Sequence, residues 1–109
     1  MSELVILSLG SNLGDREENL ASAITLLGTY HQITNIKGAS FYESEPLYNT
    51  NQPKFLNTII SYDSTMTPFE FLDIIKYIES SLGRPIKRNK NEPRIIDIDI
   101  LCYGNSYIE

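Results

Sequence analysis

The sequence has few of the residues that build disulfides and nucleic-acid-binding surfaces. It has one cysteine, Cys102, so no internal disulfide can form, and its place at the end of an apolar run predicts a buried thiol rather than a nucleophile. Lys and Arg number 9 against 14 Asp and Glu, which gives a net charge of −5. Since binding to a phosphate backbone relies on a basic surface, we expect no nucleic-acid partner.

Long apolar runs are also missing from the sequence. None approaches the length of a membrane span, and the N-terminal Met1-Ser2-Glu3 lacks the basic start of a signal peptide. We therefore expect a cytoplasmic protein with no membrane partner. A chain of 109 residues with 41% hydrophobic and 21% charged residues is typical of one folded domain, and a monomer is the simplest expectation.

Apolar patterning predicts six secondary-structure elements. The four predicted strands are apolar runs or alternations of strand length, at 4–9, 33–42, 55–62 and 95–101. The two predicted helices each follow a capping residue and end at a glycine, from Asp15 to Gly28 and from Thr67 to Gly83. Their order, βαββαβ, predicts an α+β ferredoxin-like sandwich with a four-stranded antiparallel sheet and two helices on one face.

Three connecting features interrupt this pattern. Gly38 falls inside the second strand and predicts a bulge or bend there. The turn 10–14, Gly-Ser-Asn-Leu-Gly, could bring its backbone close to a ligand, although most such glycines simply make the turn. Residues 43–54 have two prolines and no periodicity, so they predict a long loop, and long loops in compact domains tend to be functional.

Two carboxylates interrupt the last strand. Alternation places Asp97 and Asp99 on one face, while Ile96, Ile98 and Ile100 fill the other. Because two neighbouring carboxylates repel each other, a cation is expected beside them, and oxygen-only ligands suit magnesium. The alternative is that these are charges that protect an edge strand from aggregation.

Two further positions carry candidate binding groups. Phe55 and Asn57 share one face of the third strand, where they could stack on a flat heterocycle and read its edge. For this pair alone, a core phenylalanine beside an asparagine that binds backbone is the preferred interpretation. Glu79 falls on or beside the buried stripe of the second helix, so it needs a partner: Arg84, Arg94 or a ligand hydroxyl.

Basic residues are concentrated in one loop of this acidic chain. Five of the 9 lie between positions 84 and 94, namely Arg84, Lys87, Arg88, Lys90 and Arg94. A cluster that leads directly into the carboxylate pair suits a polyphosphate, whose oxygens can be shared between guanidinium groups and metal ions. A solvated basic loop is the alternative interpretation.

Five motifs in order are similar to one enzyme family. They are the segments 10–15 (GSNLGD), 41–47 (FYESEPL), 52–57 (QPKFLN), 79–84 (ESSLGR) and 93–99 (PRIIDID). Together they resemble 6-hydroxymethyl-7,8-dihydropterin pyrophosphokinase, and the resemblance runs through essentially the whole chain. It implies a magnesium-dependent transferase of folate biosynthesis on a ferredoxin-like core, which moves pyrophosphate from the co-substrate ATP to the hydroxymethyl group of the pterin and releases AMP.

The resemblance also implies a role for individual residues. Two magnesium ions are expected on Asp97 and Asp99. The residues implied to act in catalysis are Arg84, Arg94, Asp97 and Asp99. Those implied to bind the pterin are Gly10, Ser44, Glu45, Leu47, Phe55 and Asn57. Those implied to bind the nucleotide are Glu79, Arg84, Lys87, Arg88, Arg94 and Ile100.

Family members continue beyond the position of Glu109, so residues 1–109 are expected to form a single pyrophosphokinase core domain without the usual C-terminal segment. A truncated relative that binds pterin or nucleotide without catalysis is therefore one alternative. A ferredoxin-like RNA-binding module is another, since it shares the order of elements. The net charge and the lack of a basic-Gly-aromatic signature in the third strand disfavour it.

Overall fold

The computed structural model describes residues 2–45, 53–82, 95–104 and 106–107, the last two by their backbone alone. The elements in chain order are β1 Glu3–Ser11, α1 Arg16–Leu27, β2 Ile33–Gly38, β3 Tyr42–Ser44, β4 Phe55–Ser64, α2 Pro68–Ser81, β5 Asp97–Tyr103 and β6 Ser106–Tyr107. The four predicted strands correspond to β1, β2 with β3, β4 and β5. The structure adds the two-residue strand β6.

The strands form one antiparallel sheet in the order β2-β4-β1-β5-β6, and β3 also pairs with β4. The central strand β1 pairs with β4 on one side and with β5 on the other. The order β2-β4-β1-β5 is that of a ferredoxin-like sheet, so the predicted α+β class is confirmed.

One hydrophobic core lies between the sheet and the two helices. On β1, for example, Val5, Leu7 and Leu9 are fully buried while Leu4 is half exposed, as alternation along a strand requires. The helices contribute Leu20, Ala23, Leu27, Phe71, Ile75 and Ile78 to the same core cluster. Both helices therefore cover one face of the sheet, and the side chains at the alternate strand positions lie on the opposite, open face.

Both helix starts have the predicted caps. The Asp15 side chain accepts a hydrogen bond from the Glu18 backbone N–H at 3.1 Å. Thr67 and Glu70 form a complete capping box, with each side chain accepting from the other residue's backbone N–H. In the part of the chain that the structure describes, neither helix is long and apolar enough to cross a membrane.

The second predicted strand differs in detail from the structure. It is divided into β2 and β3, which both pair with β4. Its bulge lies between Thr34 and Lys37, where Asn35 has a φ of 61°, and Gly38 instead ends the strand. Asn tolerates the left-handed region better than most residues, so it makes the bulge without a glycine.

Two buried positions were predicted wrongly. Apolar patterning of the second helix predicts a buried stripe that includes Leu72, but Leu72 is 45% exposed because it lies about 100° around the helix from the buried Phe71. The thiol of Cys102 is only partly buried and lies 3.3 Å from the Gly104 carbonyl oxygen. The predicted helix end at Gly83 lies outside the described residues.

Candidate functional site

The open face of the sheet carries a cleft of about 280 Å³ at one end of the central strands. Its lining comes from β1, β3, β4, β5 and the residue after β3: Ser8, Gly10, Ser44, Glu45, Phe55, Asn57, Asp97 and Asp99. Strand alternation explains this set, since alternate residues of each strand lie on this face, and most of those at this end are polar or small, with Phe55 the apolar exception. The cleft brings together the pair Phe55 and Asn57 and the pair of aspartates.

Strand register fixes the distance between these two pairs. Tyr42, Asn57, Gly10 and Asp97 occupy one row across four neighbouring strands. Adjacent strands lie about 4.8 Å apart, so the backbones at Asn57 and Asp97 are roughly 10 Å apart. A ligand that lies over Gly10 can therefore contact both pairs at once.

Gly10 forms the floor between them. A Cβ atom added to Gly10 would lie 2.9 Å from Asn57 Oδ1 and 3.2 Å from Phe55 Cδ1. Any side chain here would displace the two groups that define this part of the cleft. The φ of Gly10 is not in the left-handed region, so the backbone conformation does not require a glycine here. The close approach of the two side chains does.

The hydrogen bonds of Asn57 orient its amide group. Its Nδ2 donates to Ser44 Oγ at 2.7 Å and to the Tyr42 carbonyl oxygen at 3.3 Å. A carbonyl can only accept, so Tyr42 fixes which end of the amide is the nitrogen. Asn57 Oδ1 is therefore turned toward Gly10, where it offers an acceptor to a ligand.

Phe55 lines the cleft and is half buried. The core belongs to the opposite face of β4, where Leu56 and Ile60 are buried. The interpretation of Phe55 as a core residue is therefore wrong, while Asn57 does bind backbone, as that interpretation expected, through Tyr42. An aromatic ring beside an oriented amide can stack on a planar heterocycle and read its edge.

Asp97 and Asp99 lie on the cleft side of β5, and the isoleucines between and after them are buried. Asp97 pairs in register with Gly10, and Asp99 pairs with Ser8. Among the described residues, no group of three or more His, Cys, Asp or Glu side chains could hold a metal ion. Two carboxylates fit magnesium of the kind that takes the rest of its ligands from water and substrate phosphates.

Glu79 of α2 is tied to the strand that carries the aspartates. Its Oε2 accepts a hydrogen bond from the Ile98 backbone N–H at 3.2 Å. This backbone partner was not expected from the sequence, and the expected partners Arg84 and Arg94 lie outside the described residues. Ile100, assigned to nucleotide binding, has its side chain in the core with 7% exposed, so its proposed contact would come from its backbone.

Several predicted site residues lie outside the described residues. They are Leu47, assigned to the pterin, and the basic residues Arg84, Lys87, Arg88 and Arg94, assigned to the phosphates or the nucleotide. Their roles remain predictions from the sequence.

Three residues near the cleft were not singled out from the sequence. Ser8 lines the cleft beside Asp99, and its signal was a polar residue inside the apolar run of β1. Asn12 is 1% exposed and donates to the Pro53 carbonyl oxygen at 3.2 Å. Arg16 contacts Glu43. The sequence feature that could have identified Arg16 is a cation at the first position of a helix, where it is unfavourable.

Comparison with known proteins identifies what this chain is similar to. The family model described as 7,8-dihydro-6-hydroxymethylpterin-pyrophosphokinase (HPPK) matches residues 6–108. The 2-amino-4-hydroxy-6-hydroxymethyldihydropteridine pyrophosphokinase of Bacillus subtilis is 37% identical over 109 residues, which are 100% of this chain and 65% of that protein. The protein of the same name from Methylorubrum extorquens is 35% identical over 102 residues, or 94% of this chain and 64% of that protein.

Larger proteins also match. The Bifunctional protein FolKE of Lactococcus lactis subsp. cremoris is 45% identical over 103 residues, which are 94% of this chain and 29% of that protein. This chain thus spans less than two thirds of the length of each of these relatives.

Proposed function

This chain belongs to the 7,8-dihydro-6-hydroxymethylpterin-pyrophosphokinase family, and we propose that it transfers pyrophosphate from ATP to 6-hydroxymethyl-7,8-dihydropterin in folate biosynthesis. The observation that carries this proposal is the arrangement of the open sheet face. An aromatic–amide pair, Phe55 and Asn57, and a carboxylate pair, Asp97 and Asp99, face one cleft on either side of Gly10.

The first pair binds the pterin. Phe55 stacks on the flat bicyclic ring, and Asn57 Oδ1 accepts hydrogen bonds from N–H groups on the ring edge. Ser44 holds the Asn57 amide in this orientation through their 2.7 Å hydrogen bond. The backbone at Glu45 and Leu47 completes the contacts to the pterin edge.

The second pair, Asp97 and Asp99, would hold two magnesium ions, which take further ligands from the phosphates of ATP. When bound, magnesium offsets the phosphate charge and makes the β-phosphorus more electrophilic. By holding magnesium, Asp97 and Asp99 would place the polyphosphate over the same face as the pterin, which would bring the substrate hydroxyl and the β-phosphorus together. We assign Glu79 and the Ile100 backbone to contacts with the nucleotide.

In the reaction, the pterin hydroxyl oxygen forms a bond to the β-phosphorus as the bond to the α-phosphate breaks. AMP leaves, the pterin carries the two phosphates, and one proton is released. Arg84 and Arg94 offset the charge on the phosphates, with Lys87 and Arg88 contributing to nucleotide binding. We expect a monomer that acts in the cytoplasm, with neither nucleic acid nor membrane as a partner.

The experiment that tests this function is identification of the products. The 109-residue chain is incubated with ATP, MgCl₂ and 6-hydroxymethyl-7,8-dihydropterin, and nucleotides and pterins are separated and weighed by mass spectrometry. We expect AMP and pterin diphosphate in equal amounts, and neither product when EDTA replaces magnesium. ADP with a pterin monophosphate would contradict pyrophosphate transfer. Pterin binding without any product would instead favour a relative that binds without catalysis.

A further inference from the structure

Arg16 has an unusual position for a basic residue. It is the first residue of α1, directly after the N-cap Asp15. The start of a helix carries partial positive charge, so a cation here costs stability, whereas Glu17 and Glu18 in the same turn are favourable. Helix formation therefore does not explain Arg16.

The hydrogen bonds of Arg16 give a physical reason for a basic residue at this position. Arg16 Nη1 donates to Glu43 Oε2 at 2.8 Å and to the Lys54 carbonyl oxygen at 2.9 Å. The Arg16 and Glu43 side chains are 31% and 52% exposed, so water screens part of their ion pair. One nitrogen thus connects the start of α1 to two segments that are distant from each other in sequence.

These two segments carry one wall of the cleft. Glu43 directly precedes Ser44, and Lys54 directly precedes Phe55. Ser44 also pairs in register with Phe55. A shift of either segment by a fraction of a hydrogen-bond length would move the ring and the hydroxyl that orient a ligand.

Among the described residues, Lys54 Nζ also lies 3.5 Å from Glu45 Oε1 in an exposed ion pair, and Asn57 donates to Ser44 Oγ and to the Tyr42 carbonyl oxygen. Strand β3 has only three residues, and among the described strands it pairs with β4 alone. Asn12, which is almost fully buried in the turn after β1, adds a second tie by donating to the Pro53 carbonyl oxygen at 3.2 Å. The turn after β1 and the first residue of α1 therefore contact the same wall at the neighbouring residues Pro53 and Lys54.

We propose that Arg16 is a positioning residue for the pterin half of the cleft, acting through Glu43 and Lys54 on Ser44 and Phe55. This inference rests on the proposed function. Arg16 contacts neither β5 nor its aspartates through the hydrogen bonds above, so its loss affects the pterin and leaves metal and ATP binding intact.

The test compares four variants of the full 109-residue chain. Arg16→Gln removes the guanidinium, Arg16→Lys keeps the charge, and Glu43→Gln weakens only the ion pair. Lys76→Gln is the matched control, since it removes an exposed charge from the other helix. For each, steady-state KM values for pterin and ATP, the melting temperature, and amide hydrogen exchange of the β3 and β4 segments are measured.

We expect Arg16→Gln to raise the KM for the pterin about three- to tenfold, with the KM for ATP unchanged within about twofold. The KM values of Arg16→Lys and Glu43→Gln for the pterin should lie between those of Arg16→Gln and the wild type. Amide exchange at 42–45 and 53–57 should become faster in Arg16→Gln but not in Lys76→Gln.

Other results would overturn the inference. Unchanged amide exchange in Arg16→Gln would show that the contacts do not hold the wall. Faster exchange with an unchanged KM for the pterin, or with equal increases in the KM values for pterin and ATP, would show that Arg16 has only a structural role.

If the wild-type chain forms no product, fluorescence titration with the pterin replaces the KM measurement. Binding that is equally tight in wild type and Arg16→Gln refutes the positioning role, whereas a wild type that binds no pterin refutes the proposed function itself.

Discussion

The carboxylate of Glu79 accepts a hydrogen bond from the backbone N–H of Ile98, the residue between Asp97 and Asp99. This contact joins α2 to β5 at the point where the strand carries its two carboxylates. The contact lies at the start of β5, whereas the two described residues of β6 pair with Cys102 and Tyr103 at its end. Glu79 therefore takes the place of a strand partner at this position.

Replacing Glu79 should lower the free energy of unfolding according to how well the new side chain accepts a hydrogen bond. Glu79→Leu leaves the Ile98 N–H without this acceptor and should cost about 1–3 kcal/mol. Glu79→Gln keeps an acceptor and should cost less than about 1 kcal/mol. Urea denaturation of the two variants checks this order, and equal losses would contradict it.

Gly10→Ala should damage pterin use. The added Cβ would lie 2.9 Å from Asn57 Oδ1, so the amide or the Phe55 ring must shift. Misplacement of substrate-positioning groups typically costs up to about 100-fold in rate, and we expect kcat/KM for the pterin to fall about 10- to 100-fold.

Gly38→Ala is the matched control, because its Cβ would lie 3.6 Å from its nearest neighbour, a methyl group of Ile60. It should leave kcat/KM unchanged within about twofold. Similar losses in both variants would show that general stability, rather than the floor of the cleft, is responsible.

Loss of the hydroxyl group should change the free energy of unfolding differently at two buried tyrosines. Tyr103 donates to the Met66 carbonyl oxygen and is hydrogen-bonded to Ser64 Oγ at 3.0 Å. The Tyr62 hydroxyl, also buried, has no hydrogen-bond partner in the described part of the chain. Tyr103→Phe should therefore lower the free energy of unfolding by about 1–3 kcal/mol, while Tyr62→Phe should be neutral or stabilising. A larger loss for Tyr62→Phe in urea denaturation would contradict this.

The same tyrosines predict instability at alkaline pH. Burial, together with the nearby Tyr103, raises the pKa of Tyr62, and burial likewise raises the pKa of Tyr103. In the unfolded chain these phenols ionise at about pH 10, so the folded state retains its protons longer. The stabilisation is complete below that pH and is lost as the pH rises further.

Each tyrosine should lower the free energy of unfolding by at most about 1.4 kcal/mol per pH unit above about pH 10. Urea denaturation between about pH 9 and about pH 11 measures the slope. It should be smaller in Tyr62→Phe than in the wild type, and identical slopes would show that Tyr62 does not contribute.

Much of the fold and of the cleft could be predicted because the responsible signals are local. Period-two alternation placed Asp97 and Asp99 on one face, and it placed Phe55 beside Asn57. The caps at Asp15 and Thr67 fixed where each helix begins. These features depend only on neighbouring residues, and the structure confirms them.

The remaining features depend on partners that are distant in sequence. Nothing near Glu79 indicates that it binds the Ile98 N–H, and nothing near Arg16 indicates Glu43 or Lys54. The bulge at Asn35 likewise depends on register with β4. These contacts follow from the order of strands in the sheet, which a local pattern does not encode.

The proposed function is tested most directly by the rate of AMP release from ATP and magnesium, measured with and without 6-hydroxymethyl-7,8-dihydropterin. The wild-type 109-residue chain is compared with Asp97→Asn, which should keep the fold because Asp97 lies on the open face. We expect AMP release that requires the pterin in the wild type, and a loss of at least about 100-fold in the variant with an unchanged melting temperature. AMP release that does not depend on the pterin, or full activity in Asp97→Asn, would contradict the assignment of this cleft as a pyrophosphokinase site.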